Sequence, residues 1–140
     1  MIRSEKKYPI EQVHELLSIW KKKYWEMAYN GEIHKLQKIK EVFDDYPIKV
    51  YSQRYELFLE NTKCTKCGLE ASYYRIERHE THNSWHFNLY GVRNGNEILF
   101  TKDHIIPKAH GGKNILSNYQ TMCAECNLKK GSNLELGDLL

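Results

Sequence analysis

The sequence predicts an α+β protein in which a helical N-terminal region, residues 1–61, precedes a β-rich module, residues 62–140. Three observations predict it. Apolar residues recur at steps of three and four as far as Asn61, strand-like runs take over beyond it, and two Cys-x-x-Cys pairs bracket those runs.

Between residues 9 and 30, Ile10, Val13, Leu16, Leu17, Trp20, Tyr24 and Met27 keep helical spacing, with Pro9 suited to a first helical position, so the segment reads as one amphipathic helix. Gly31 ends it. Ile33, Leu36, Ile39 and Phe43 repeat the period and predict a second helix, stopped by Asp44, Asp45 and Pro47, which makes a helical hairpin. Residues 50–61 (VYSQRYELFLEN) read as a third helix with Tyr51, Tyr55 and Phe58 on one face, although their alternation also suits a strand.

The runs SYYRIE (72–77), SWHFNLYGV (84–92) and EILFTKDHII (97–106) predict successive antiparallel strands, with turns at residues 82–83 and 94–96. Pro107 and Gly111-Gly112 open a loop. NYQTM (118–122) reads as a short strand, and AECNLKK (124–130) as a helix that Gly131 closes.

The formal charge of +3 is too small to select a nucleic-acid partner by itself. No stretch approaches the roughly 18 consecutive apolar residues of a membrane span, so no membrane partner is expected. The N-terminus MIRSEKKYPIEQ lacks the apolar core of a secretory signal, which predicts a cytoplasmic protein with reduced cysteines and argues against disulfides.

All four cysteines fall in the pairs Cys64-x-x-Cys67 and Cys123-x-x-Cys126. At that spacing two thiolates from each pair reach one tetrahedral Zn²⁺ at ~2.3 Å, which closes the shell and makes the metal structural. The competing reading is a redox pair, which two pairs with no spare cysteine disfavour. The long interval 68–122 departs from compact zinc fingers, so the metal is expected to staple a larger insert.

A second pattern runs Lys102-Asp103-His104-Ile105-Ile106-Pro107, then Gly111-Gly112, Asn118, and Cys123 through Cys126-Asn127 to Lys130-Gly131. In this order and spacing, residues 64–131 resemble the HNH endonucleases, the His-Me finger or ββα-metal nucleases, and within them the subgroup with a four-cysteine zinc site. The N-terminal helices lie outside the resemblance. It implies a ββα-metal module that nicks or cleaves DNA, with His104 as general base, Asp103 and Asn127 as ligands of a catalytic cation, and Asn118 bracing the loop. Many family members have His where this chain has Asn127. Two oxygen ligands suit Mg²⁺ or Mn²⁺. Small stand-alone proteins of this kind are often encoded by phages and mobile elements.

The residue types agree with that chemistry: a neutral imidazole to deprotonate water and a cation to offset phosphoryl charge are what phosphodiester hydrolysis needs. Adjacent strand residues point to opposite faces, so Asp103 and His104 share a site only where the strand ends. Asn127 and Lys130 lie three apart on one helical face, with Cys126 turned about 100° away towards zinc. Lys102, Lys130 and His110 are the expected nucleic-acid contacts. His79, His82, His86, Arg75 and Arg78 form a basic strand pair that reads either as a phosphate track or as ordinary exposed residues, while Lys21, Lys22 and Lys23 read as a solvated face. Two rival functions stay open: a non-cleaving zinc module that binds nucleic acid, and a nuclease acting on RNA.

Overall fold

A computed structural model describes residues 1–133, so the last part of the expected module, residues 134–140, lies outside the described residues. In chain order the elements are β1 (Ile2–Arg3), α1 (Ile10–Tyr24), α2 (Ile33–Leu36), β2 (Lys40–Phe43), β3 (Tyr46–Lys49), α3 (Gln53–Glu60), β4 (Tyr73–Arg78), β5 (His86–Arg93), β6 (Asn96–His104), β7 (Tyr119–Cys123) and α4 (Ala124–Lys130). The mixed α+β class and the closing ββα unit, β6–loop–β7–α4, are as the sequence predicts. Among the described residues no helix is long and apolar enough to cross a membrane.

One antiparallel sheet runs β1-β4-β5-β6-β7. Asn94 (φ 53°) and Gly95 (φ 79°) make the tight β5–β6 turn, both in the left-handed region that two-residue hairpins favour. α1 buries Val13, Leu17 and Trp20. Their cluster continues through Tyr55, Phe58, Tyr74, Phe87 and Leu89 to Phe100 and Met122, joining N-terminal helix to C-terminal sheet. Two polar groups inside this core are satisfied by direct bonds, whereas the buried Trp20 indole N–H has no hydrogen-bond partner among the described residues. The Trp25 indole N–H donates to the Val50 carbonyl at 2.7 Å, and the Phe87 N–H donates to Tyr55 Oη at 3.1 Å.

The expected second helix is replaced. α2 lasts only from Ile33 to Leu36, and residues 40–49 form the hairpin β2–β3, with Val42 opposite Pro47 and Phe43 opposite Tyr46. Asp44 (φ 50°) and Asp45 (φ 71°), which read as helix stops, are the two central residues of a hairpin turn. The spacing of Ile39 and Phe43 satisfied a helical period, yet Ile39, Glu41 and Phe43 are half-buried while Lys40 and Val42 are exposed, the period of two of a strand. Pro9 precedes α1 instead of occupying its first turn. β1 was not legible at all: two residues with no strand pattern pair with Arg78 and Glu77. It is fastened there by Arg3, whose guanidinium meets the buried Glu77 carboxylate at 2.7 Å.

Candidate active site and metal centre

The four cysteines come from separate parts of the chain. Cys64 and Cys67 sit in the connection between α3 and β4, Cys123 ends β7, and Cys126 lies in the first turns of α4. Their sulfurs lie within 4.8 Å of one another, and Cys67 and Cys123 Sγ are 3.9 Å apart. Ligands ~2.3 Å from a tetrahedral ion stand about 3.8 Å apart, so the cluster fits one metal ion with little adjustment. None of the four is in a disulfide. Burial opposes charge on the Cys67 thiol but is outweighed by hydrogen bonds from the Leu69 backbone and Arg93, which bring it down to about 6. Arg93 Nη2 approaches that sulfur at 2.9 Å, so a thiolate is favoured there before any metal binds.

The sheet delivers the second group of residues. Along β6, Thr101 and Asp103 project to one face, and the strand ends at His104, so the next residues turn away into a loop. Asn118 fixes that loop. Its Oδ1 accepts from the Ile106 N–H at 2.9 Å, and its Nδ2 donates to the carbonyls of Ile106 (3.1 Å) and Lys113 (2.9 Å). Gly112 closes against the same strand end: a Cβ there would stand 1.6 Å from the Ile106 carbonyl oxygen, so no other residue fits without opening the loop.

Asp103, His104 and Asn127 line one open cavity of about 450 Å³, together with Lys102 and Lys108. Asp103 is buried, and its Oδ2 accepts from Lys130 Nζ at 2.8 Å and Gln120 Nε2 at 2.9 Å. Oδ1 accepts no hydrogen bond among the described residues. Asn127 is oriented through Thr101. The Thr101 hydroxyl donates to the Met122 carbonyl at 2.8 Å and must therefore accept from Asn127 Nδ2 at 2.8 Å, which leaves Asn127 Oδ1 as the available atom. His104 Nε2 bonds Asn114 Oδ1 at 2.8 Å, and its ring packs edge-on against Tyr119 with centroids 5.0 Å apart. An amide oxygen only accepts, so Nε2 carries the hydrogen and Nδ1 the lone pair.

This strand end, loop and helix bear on a known family. Residues 94–136 match the family model of HNH endonucleases. No curated protein and no solved structure matches the chain. The match spans the HNH segment and covers less than half of the chain, so it likens β6, β7 and α4 to a domain type associated with nuclease activity, and the four-cysteine cluster brings the segment's β7 and α4 together with the connection that precedes β4.

Two basic residues sit differently from the sequence reading. Lys130 shares the Asn127 face of α4, as helical spacing requires, but it is 2% exposed, and its ammonium also donates to the carbonyls of His104 (2.8 Å) and Ile105 (3.1 Å). It locks the strand end instead of reaching a substrate. Arg75 is also buried, paired with Glu97 at 2.6 Å, so it does not form part of an exposed basic strand. His110 is exposed and does not line the cavity, whereas Lys102 does. Sequence reasoning missed Thr101, Asn114, Gln120 and Lys108 because each acts through spatial neighbours that carry no motif spacing.

Lys130→Ala is expected to cost about 3 to 5 kcal/mol of folding stability, because it leaves the Asp103 carboxylate buried without its cation. Urea unfolding in Mg²⁺-free buffer without chelator, where no hard cation compensates Asp103 and the cysteine cluster keeps its ion, measures it. A loss under about 1 kcal/mol would mean that Asp103 is solvated in the folded protein.

Proposed function

We propose that the protein is a metal-dependent endonuclease that hydrolyses phosphodiester bonds in DNA, with His104 as general base. The observation that carries this reading is the convergence of Asp103, His104 and Asn127 on one open cavity inside the HNH segment. The cavity suits a divalent cation on the chemistry of its donors. Asp103 Oδ1 and Asn127 Oδ1 are both hard oxygen atoms left over after the other polar atoms of those side chains are engaged, a set that favours Mg²⁺ or Mn²⁺. When bound, such an ion supplies charge stabilisation at the phosphoryl and leaving oxygens.

The residues of the chain do the rest. His104 Nδ1 takes a proton from water as its oxygen bonds to phosphorus and the bond to the leaving sugar oxygen breaks. Asn114 holds the imidazole tautomer, Asn118 holds the loop, and Lys102 and Lys108 set a positive rim for phosphate. For the cysteine cluster we propose Zn²⁺, since four thiolates leave no position for water and the role is then structural.

Supercoiled plasmid with Mg²⁺, with and without chelator, is the direct test, run beside a folded RNA. Nicked or linear DNA that disappears on chelation is the expected result. Uncut but retarded DNA would replace hydrolysis with binding alone, and cleavage of RNA only would replace the substrate.

Asn127→Ala is expected to lower the cleavage rate at least tenfold at low Mg²⁺ and to recover part of it at high Mg²⁺ or in Mn²⁺, because one oxygen ligand is lost while the base is intact. Asp103→Asn is the matching change at the other ligand. It keeps the shape next to Lys130, whereas Asp103→Ala would leave a buried ammonium unpaired and confuse metal loss with unfolding. A defect in Asn127→Ala that is the same at every metal concentration would remove Asn127 from the ligand set.

A further inference from the structure

A second cavity, of about 310 Å³, opens on the other side of Lys102. Its wall draws on segments far apart in sequence: Lys49 of β3, Ser52, Gln53 and Arg54 at the start of α3, His86 of β5 and Lys102 of β6. No acidic side chain lines it. We propose that this cavity binds a backbone phosphate of the DNA strand that occupies the HNH site, displaced along the strand from the bond that is cut; the proposal rests on the nuclease reading above.

Uncompensated positive charge is the first support. Several basic residues elsewhere are paired, Lys6 with Asp44, Lys23 with Glu41 and Arg93 with Glu125. Among the described residues no carboxylate lies within ion-pair distance of Lys49, Arg54 or Lys102. Lys102 is held by neutral partners, donating to Gln53 Oε1 at 3.0 Å and lying 4.2 Å from the centre of the Tyr119 ring. These partners fix its position and leave its charge for an anion. Burial, then Arg54, Lys49 and His82, hold His86 down at about 4. Mutual repulsion of this kind is relieved when a phosphate enters.

The second support is the shape of the wall. Ser52 caps α3 by accepting from the Arg54 N–H at 3.2 Å, and the capped end of that helix opens on the cavity, adding its positive dipole to the side-chain charges. His86 Nδ1 is buried in the same wall with no hydrogen-bond partner, a polar atom that a phosphate oxygen would satisfy. The third support is continuity. Lys102 lines both cavities and precedes Asp103 directly, so a strand leaving the first cavity crosses Lys102 into the second. A free nucleotide would not need this shared wall, whereas a polymer with regularly spaced phosphates would.

The test is binding of a short DNA duplex by the full chain in chelator, followed by fluorescence anisotropy across a salt series. The variant Lys49→Gln, Arg54→Gln is expected to bind about tenfold more weakly and to lower the slope of log affinity against log salt by about 1, the amount that one lost phosphate contact removes. The charge-preserving variant Lys49→Arg, Arg54→Lys is expected to keep the wild-type slope. As a control, Lys21→Gln, Lys22→Gln removes as much charge from the exposed face of α1, outside both cavities, and is expected to change the slope by less than half as much. Metal content and melting temperature, measured on every variant, check the fold. An unchanged slope in the first variant, or an equal change in the control, overturns the second site. Plasmid cleavage by the wild type separates the two readings: cleavage with an unchanged slope removes the site and keeps the nuclease, and a reduced slope without cleavage keeps the site and removes the nuclease.

Discussion

His104→Ala is expected to lower the DNA cleavage rate by about 10²- to 10⁴-fold, the usual contribution of a positioned general base, while DNA affinity and melting temperature stay close to wild type. The separation follows from where the ring sits. His104 is the last residue of β6, half-buried, and among the described residues its ring meets the Asn114 amide and the edge of Tyr119. The Asn114 contact lies outside the core and the Tyr119 contact is with the edge of a core ring, while the backbone at this point is held by Lys130 and by pairing with Tyr119, not by the imidazole. His110→Ala is the informative comparison, since His110 is the other histidine of the loop, exposed and outside the cavity. It is expected to stay within about tenfold of wild type, as a peripheral loop side chain should. If single-turnover kinetics under the same metal and salt gave the reverse order, the base would have to be reassigned, and Asp103 and Asn127 would lose their place as its neighbours.

Much of this was legible because local rules and tertiary structure agree. α3 and the strands β4 to β7 lie where periodicity and turn residues put them, α1 does so as far as Tyr24, beyond which the expected helix tightens into a 3-10 turn at Trp25–Ala28, and the Cys-x-x-Cys pairs meet as their spacing implies. The hairpin β2–β3 was not legible, because Ile39 and Phe43 satisfy a helical step of four as well as an alternation of two, and only the partner strand decides between them. That partner is partly remote. Lys49 donates its N–H to the Trp85 carbonyl at 3.0 Å, and Ile48 bridges Trp85 in parallel, contacts to β5's approach that no local pattern encodes. Lys130 shows the opposite failure. Helical geometry put it correctly on the Asn127 face, but charge alone suggested solvent or phosphate, whereas a buried carboxylate and two strand-end carbonyls capture it. Charge type says what a side chain needs; packing says where the need is met.

Removal of the metal from the cysteine cluster is expected to have the largest effect on the fold. One equivalent of Zn²⁺ per chain is expected in reduced protein, and Cys64→Ala, Cys67→Ala is expected to lose it together with the cooperative melting transition. The energies decide the sign. Structural zinc sites of four ligands contribute on the order of 10 kcal/mol to folding, comparable to the whole stability of about 5 to 15 kcal/mol that a domain of this size commands. Here the ion would join three segments that otherwise share few bonds at this corner: the connection carrying Cys64 and Cys67, the end of β7 at Cys123, and α4 through Cys126. Thr65 donates its N–H and its hydroxyl to the Thr121 carbonyl, each at 3.0 Å, and its hydroxyl lies 3.2 Å from Gln120 Oε1, while the Thr121 hydroxyl donates to the Asn61 carbonyl at 2.8 Å; at about 1 kcal/mol each these bonds contribute less than the ion. Because Asn127 follows Cys126 on α4, releasing the helix also displaces the proposed cation ligand, so activity should vanish and added Mg²⁺ should not restore it. The two metals are thereby separable. Brief chelation of the hard cation should stop cleavage reversibly with the melting curve intact, while stripping the thiolate-bound ion should abolish both. A Cys64→Ala, Cys67→Ala protein that melts cooperatively at the wild-type temperature would show that the cluster is not structural, and less than half an equivalent of zinc in reduced wild type would show that it is not a zinc site.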